Sequence, residues 1–240
     1  MSLVLAEFLG TALLILLGDG VVANVVLAKT KGNSSGWIVI TLGWAFAVFV
    51  PATIFGAFEW SFGQGNPASF NPALTIALGL RGAFTWGQVF PMICAEIAGA
   101  FVGAVLVWLM YKDHFDATSD PGSQLAVFST GPAIRNTVSN LISEIIGTFV
   151  LVFTLLACTA TVGNKVGNFY VWAVIATIGI SLGGTTGYAI NPARDLGPRI
   201  AHAVLPMKGK GGSDWGYAWI PVCGPIIGAV LAALAVGAIL

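Results

Sequence analysis

Charge is the scarcest thing in this chain. Of its 240 residues, 8% are charged and 57% hydrophobic, and the mean hydropathy is +0.89. A soluble domain carries about a quarter charged residues, so a water-facing globule is excluded and the solvent is lipid. Ten basic and ten acidic residues cancel, which leaves no basic footprint for nucleic acid. Cys94, Cys158 and Cys223 lie in apolar runs without disulfide or metal-ligand spacing, and they read as small core residues. The two histidines, His114 and His202, are far apart and have no ligand-like neighbours. No Ser-His-Asp set, metal cluster or glycine-rich nucleotide loop stands in a suitable context, so neither an enzyme nor a cofactor is expected. The N-terminal run lacks a basic start and carries Glu7; it reads as a membrane span rather than a cleaved signal.

What the chain does have is apolar sequence in bilayer-sized lengths. A spanning helix needs about 20 apolar residues to cross a core of about 30 Å. Six stretches qualify: 3–27, 37–58, 88–111, 141–162, 169–184 and 217–240. Two shorter apolar pieces, 70–80 and 190–205, lie after the second and fifth spans. Each opens on Asn-Pro-Ala: Asn71-Pro72-Ala73 and Asn191-Pro192-Ala193. Asn caps a helix and Pro suits its first turn, so both pieces read as half-helices with buried N-termini. A third Asn-Pro-Ala, Asn66-Pro67-Ala68, competes with Asn71. Asn71 is preferred, because an apolar helix continues beyond it.

The chain also repeats itself. Ala6-Glu7-Phe8-Leu9-Gly10-Thr11 matches Ser143-Glu144-Ile145-Ile146-Gly147-Thr148, the two Asn-Pro-Ala stretches match next, and Cys94 to Ala100 matches Cys223 to Ala229. Each half holds two spans, a half-helix and a third span, and an odd number of spans inverts the second half relative to the first. The expected fold is all-α: six transmembrane helices plus two re-entrant half-helices in an inverted repeat. The expected organisation is one channel domain over 1–240, with a first repeat over about 1–111, an exposed linker over about 112–140, and a second repeat over about 141–240.

Paired Asn-Pro-Ala motifs in inverted halves, with Glu-x-x-Gly-Thr repeated at Glu7 and Glu144, resemble the aquaporin family. The resemblance runs from Glu7 to about Ala229. It implies that Trp44, Gly179, Tyr188 and Arg194 form a selectivity ring. Trp44 taken alone also reads as a core or lipid-facing residue. Asp195, Arg199 and Pro221 resemble the glycerol uptake facilitator branch, although Asp195 and Arg199 also suit an i,i+4 ion pair within the half-helix. Tyr188 departs from the Phe that the branch leads one to expect, and Ser69 stands where family members often have His. The resemblance further implies that Glu7 and Glu144 accept N–H groups from the re-entrant loops. Asp19 is expected near a span end and Glu96 facing the bundle.

On this reading the chain is a multi-pass protein of the cell membrane, a homotetramer by resemblance. It passes glycerol, water and similar uncharged solutes such as dihydroxyacetone, lactic acid or urea, and excludes protons and ions. The alternative is an ion-coupled secondary transporter, which also uses broken helices. The family's orientation, with both termini cytoplasmic, leaves Arg81 and Lys165 on the cytoplasmic side. Lys29, Lys31, Lys112, Arg135, Lys208 and Lys210 then lie opposite, which inverts the usual bias. In intact cells, a thiol placed in the loop holding His114 should be labelled by an impermeant reagent added outside; labelling only after lysis would reverse the orientation.

Overall fold

The computed structural model describes residues 2–56, 68–161 and 168–239. Asn66 and Pro67 of the third motif, residues 57–58 of the second expected span, and Lys165 lie outside them. All regular structure among the described residues is helical. The helices are α1 (Leu3–Val26), α2 (Trp37–Pro51, continued by a π-helical turn, Ala52–Gly56), α3 (Pro72–Leu80), α4 (Trp86–Met110), α5 (Lys112–Ala117), α6 (Pro121–Phe128), α7 (Thr137–Thr161), α8 (Phe169–Ser181), α9 (Pro192–Val204) and α10 (Ile220–Ile239). Five of the segments are long and apolar enough to cross a membrane, while α8, at the place of the fifth expected span, has 13 residues.

Backbone proximity sets how the two halves are built. In α4, a Cβ on Gly99 would lie 2.2 Å from the Phe8 carbonyl oxygen of α1. In α10, a Cβ on Gly228 would lie 2.3 Å from the Ile145 carbonyl oxygen of α7. Gly99 and Gly228 are matching positions in the repeat, as are Phe8 and Ile145, so the same contact is made twice. Lipid gives no hydrophobic push between helices, and small residues that admit close van der Waals approach take its place.

The half-helices α3 and α9 have 9 and 13 residues, about 13 and 20 Å at 1.5 Å per residue. Laid N-terminus to N-terminus they cover a hydrocarbon core of about 30 Å.

Two expectations are corrected. The linker is not simply an exposed connection: it folds into α5 and α6, with Phe115, Gln124, Val127 and Phe128 buried. Phe115 stacks on Phe128 with ring centroids 5.4 Å apart, and Phe128 meets His202 of α9 at 5.5 Å. Apolar residues on one side of two short helices thus lay the linker over the bundle. The cysteines are not core residues either. Cys94 and Cys223 are exposed on the outer faces of α4 and α10, and Cys158 is half-buried. A step of one residue turns a helix by about 100°, and the inward positions are taken by neighbours such as Gly99 and Gly228.

The packing argument has a direct check. Gly99→Ala should destabilise the solubilised protein by about 1–3 kcal/mol through overpacking, read as a lower melting temperature. Gly20→Ala, where an added Cβ meets nothing within 4 Å, should leave that temperature unchanged or raise it.

Candidate pore and constriction

The two loops that enter the half-helices are bent in the same unusual way. Phe70 and Ile190, the residues before each Asn, have φ of 54° and 45°, a left-handed conformation that costs a non-glycine residue about 1–3 kcal/mol. Each loop is held by a buried carboxylate from the first helix of its half. Glu7 accepts from Ser69 N at 2.8 Å and Phe70 N at 2.7 Å. Glu144 accepts from Ala189 N at 3.0 Å and Ile190 N at 2.9 Å, and from the Thr186 hydroxyl at 2.7 Å.

The asparagines follow with nearly identical backbones, φ −156° and ψ 110° at Asn71, φ −156° and ψ 109° at Asn191. Asn71 Oδ1 accepts from Ala73 N at 3.0 Å. Asn191 Oδ1 accepts from Ala193 N at 3.0 Å and Arg194 N at 3.2 Å. Each side-chain amide then crosses to the other half: Asn71 Nδ2 donates to Ile190 O at 2.9 Å, and Asn191 Nδ2 to Phe70 O at 2.8 Å. The carbonyls of Phe70 and Ile190 are therefore engaged by the opposite asparagine. Each amide keeps one further N–H. Pro72 and Pro192 occupy the first helical turn, where the missing N–H costs nothing.

Three cavities lie in a row past this junction. The middle one, about 50 Å³, is lined by both asparagines and by Leu14, Trp44, Tyr188 and Arg194. It shares Trp44, Tyr188 and Arg194 with a wider cavity of about 310 Å³ on one side. On the other side it shares Ser69, Phe70 and Leu74 with a cavity of about 140 Å³.

The structure brings three of the four expected ring residues, Trp44, Tyr188 and Arg194, to one cavity, while Gly179 lines none of the three and packs behind Tyr188. Arg194 Cζ lies 3.9 Å from the Trp44 ring centroid, and Trp44 is buried with a face towards the cavity rather than towards lipid. Tyr188 stands edge-on to Trp37, with centroids 5.8 Å apart at 85°, and its hydroxyl has no hydrogen-bond partner among the described residues. Gly179 accepts from Trp37 Nε1 at 3.0 Å, and a Cβ there would stand 3.0 Å from Tyr188 Cζ. A side chain at Gly179 would crowd the tyrosine.

Asp195 and Arg199 are fully buried just behind the constriction. Asp195 Oδ1 accepts from Arg199 Nε at 2.7 Å, and Oδ2 from Thr130 N and Oγ1 at 2.8 and 2.7 Å. Arg199 also donates to the carbonyls of Thr130 and Ser213 at 2.9 and 2.7 Å. This i,i+4 pair ties α9 to the linker and to the loop before α10. Pro221 is buried in the first turn of α10 and lines none of the three cavities.

Two carboxylates have roles that sequence reasoning missed. Glu96 Oε1 accepts from Asn71 N at 3.2 Å and from the hydroxyls of Ser69 and Thr75, giving the first loop a second anchor. Its match in the second repeat is Pro225, and that mismatch was the available signal. Asp19, seven residues before the end of α1, is fully buried, with Oδ1 3.6 Å from Arg194 Nη1.

The whole chain has close counterparts. Residues 1–236 match the family model described as major intrinsic protein. The chain is similar to the glycerol uptake facilitator protein of Streptococcus pneumoniae R6, 57% identical over 235 residues, covering 98% of this chain and 97% of the relative. It is 53% identical to the probable glycerol uptake facilitator protein of Thermotoga maritima, covering 97% of each. Among solved structures, it is similar to the aquaglyceroporin from Plasmodium falciparum, with a TM-score of 0.81, 30% identity, and coverage of 96% of this chain and 93% of that one. An inverted pair of half-helices crossed at two asparagines, and these matches over nearly every residue, lead to one conclusion: the chain belongs to the major intrinsic protein family.

Proposed function

We propose that this chain is a passive channel for glycerol, with water and related small uncharged solutes also passing and with protons and ions excluded. It is a multi-pass protein of the cell membrane and not an enzyme. The observation that carries the substrate reading is the mixed constriction: the rings of Trp44 and Tyr188 line the same cavity as the Arg194 guanidinium. A polyol has a carbon backbone on one side and hydroxyls on the other. The rings take the carbons and the arginine donates to hydroxyl oxygens.

The crossed asparagines suit the same solutes. Their anchored amides present donors, and each half-helix N-terminus adds about half a positive charge. A hydroxyl or water oxygen is favoured there and a cation is opposed. An ion-coupled transporter would need free titratable groups at this depth, whereas Glu7 and Glu144 commit their oxygens to loop N–H groups and Asp19 faces the Arg194 guanidinium. Dihydroxyacetone, lactic acid in its neutral form, and urea fall within the proposed solute range. The passage is lined by residues of one chain, so in the proposed homotetramer each copy carries its own pore.

In liposomes, glycerol flux should rise linearly with concentration and be the same with or without a proton or sodium gradient. Saturation coupled to a gradient requirement would replace the channel with a transporter. Arg194→Ala should raise the permeability of larger solutes relative to glycerol by on the order of tenfold, the usual scale for reshaping a selective pocket. Stopped-flow shrinkage with a graded set of polyols reads this, and an unchanged order and ratio would remove Arg194 from the constriction.

A further inference from the structure

Asp19 is a buried carboxylate for which the pore as described has no use. It lies on the inner face of α1, about three turns past Glu7. Neither of its oxygens has a hydrogen-bond partner among the described residues. A carboxylate taken out of water without partners is among the costliest groups a membrane fold can hold, and it calls for a nearby cation. Arg194 is that cation, the one described basic residue within ion-pair distance, at 3.6 Å. The facing atom, Arg194 Nη1, is itself buried and without a hydrogen-bond partner.

The neighbouring residue shows how α1 reaches this place. A Cβ on Gly18 would fall 2.2 Å from the Trp44 ring, so α1 presses against the tryptophan in the same turn that presents Asp19. The guanidinium is thus confined between the Trp44 face, 3.9 Å from Cζ, and the Asp19 carboxylate. Asp195, the other acid close by, is taken up by Arg199 and Thr130.

We propose that Asp19 is a positioning residue for the constriction: it holds the Arg194 guanidinium against Trp44 at the wall of the lumen, and offsets its charge. The proposal rests on the reading that Arg194 lines the pore. Without the carboxylate, the guanidinium is free to reach across the passage to the unpartnered Tyr188 hydroxyl. That closes the opening to a three-carbon solute more than to water.

The test is a double-mutant cycle on the full chain in liposomes, with glycerol and water permeabilities measured on each variant. Asp19→Asn should lower the glycerol-to-water ratio by about threefold or more, a coupling of the size expected for charged groups in contact. Asp19→Glu, which keeps the charge, should restore most of the ratio. In an Arg194→Ala background, Asp19→Asn should change nothing further. An equal shift in both backgrounds, or no shift in the parent, overturns the proposal. If Arg194→Ala alone leaves solute selectivity intact, it is the pore reading that has failed. Should Asp19→Asn not accumulate in the membrane, the charge-free Asp19→Asn/Arg194→Ala pair decides the matter: recovered accumulation supports the pairing, and continued loss refutes it.

Discussion

The meeting of the two half-helices depends on a pair of buried carboxylates, each giving both oxygens to consecutive backbone N–H groups. Phe70 and Ile190 are held in a conformation that costs each about 1–3 kcal/mol. Hydrogen bonds to a charged acceptor contribute about 1.5–3 kcal/mol apiece, and each glutamate makes two of them to its loop. The bonds outweigh the strain, and they do so only while the carboxylates are fixed on rigid helices. The Gly99 and Gly228 contacts supply that rigidity by locking α1 to α4 and α7 to α10. Irregular backbone at membrane depth is tolerated where it is buried or lines a cavity, and these loops do both.

The scaffold is symmetric while the chemistry is not. The repeat sets Leu74 opposite Arg194, Thr75 opposite Asp195, and Glu96 opposite Pro225. The second half-helix therefore carries a guanidinium into the cavity where the first carries a leucine. Behind the first, Glu96 gathers Ser69, Thr75 and Asn71 N. Behind the second, Asp195 and Arg199 reach outward to the linker and the last loop. One half-helix is anchored inside the bundle; the other is also anchored to the segments covering the wider cavity.

Much of this was legible because it rests on local signals. Asn-Pro is a local signal of a capped helix start, as at Asn71 and Asn191, and the repeat fixes the inversion without reference to any contact. The i,i+4 spacing of Asp195 and Arg199 predicts their pairing. Contacts between residues distant in sequence left no such trace. Nothing near Asp19 points to Arg194, and nothing near Thr130 points to Asp195. The linker misled because its aspartates, Pro121 and Gly122 read as a polar loop, while Phe115, Val127 and Phe128 decide its burial. The cysteines misled because an apolar helix in lipid has no polar outer face, so hydrophobicity no longer tells inside from outside.

In the proposed channel, the crossed asparagines and the ring beyond them would apply two kinds of selection. With Oδ1 held by the helix N–H groups and one Nδ2 hydrogen held by the opposite carbonyl, neither amide can rotate to offer an acceptor. The junction presents donors alone, and a passing molecule must bring a lone pair to it. Water and a hydroxyl satisfy this equally, so the junction sorts by polarity and is indifferent to size. On the proposed reading, size and shape are left to the ring of Trp44, Tyr188 and Arg194. There an added side chain at Gly179 would crowd Tyr188, whose ring stands at 85° to Trp37. In the proposed channel the two tasks are separated along the passage, so a change at the ring leaves the hydrogen bonds of the crossed asparagines in place.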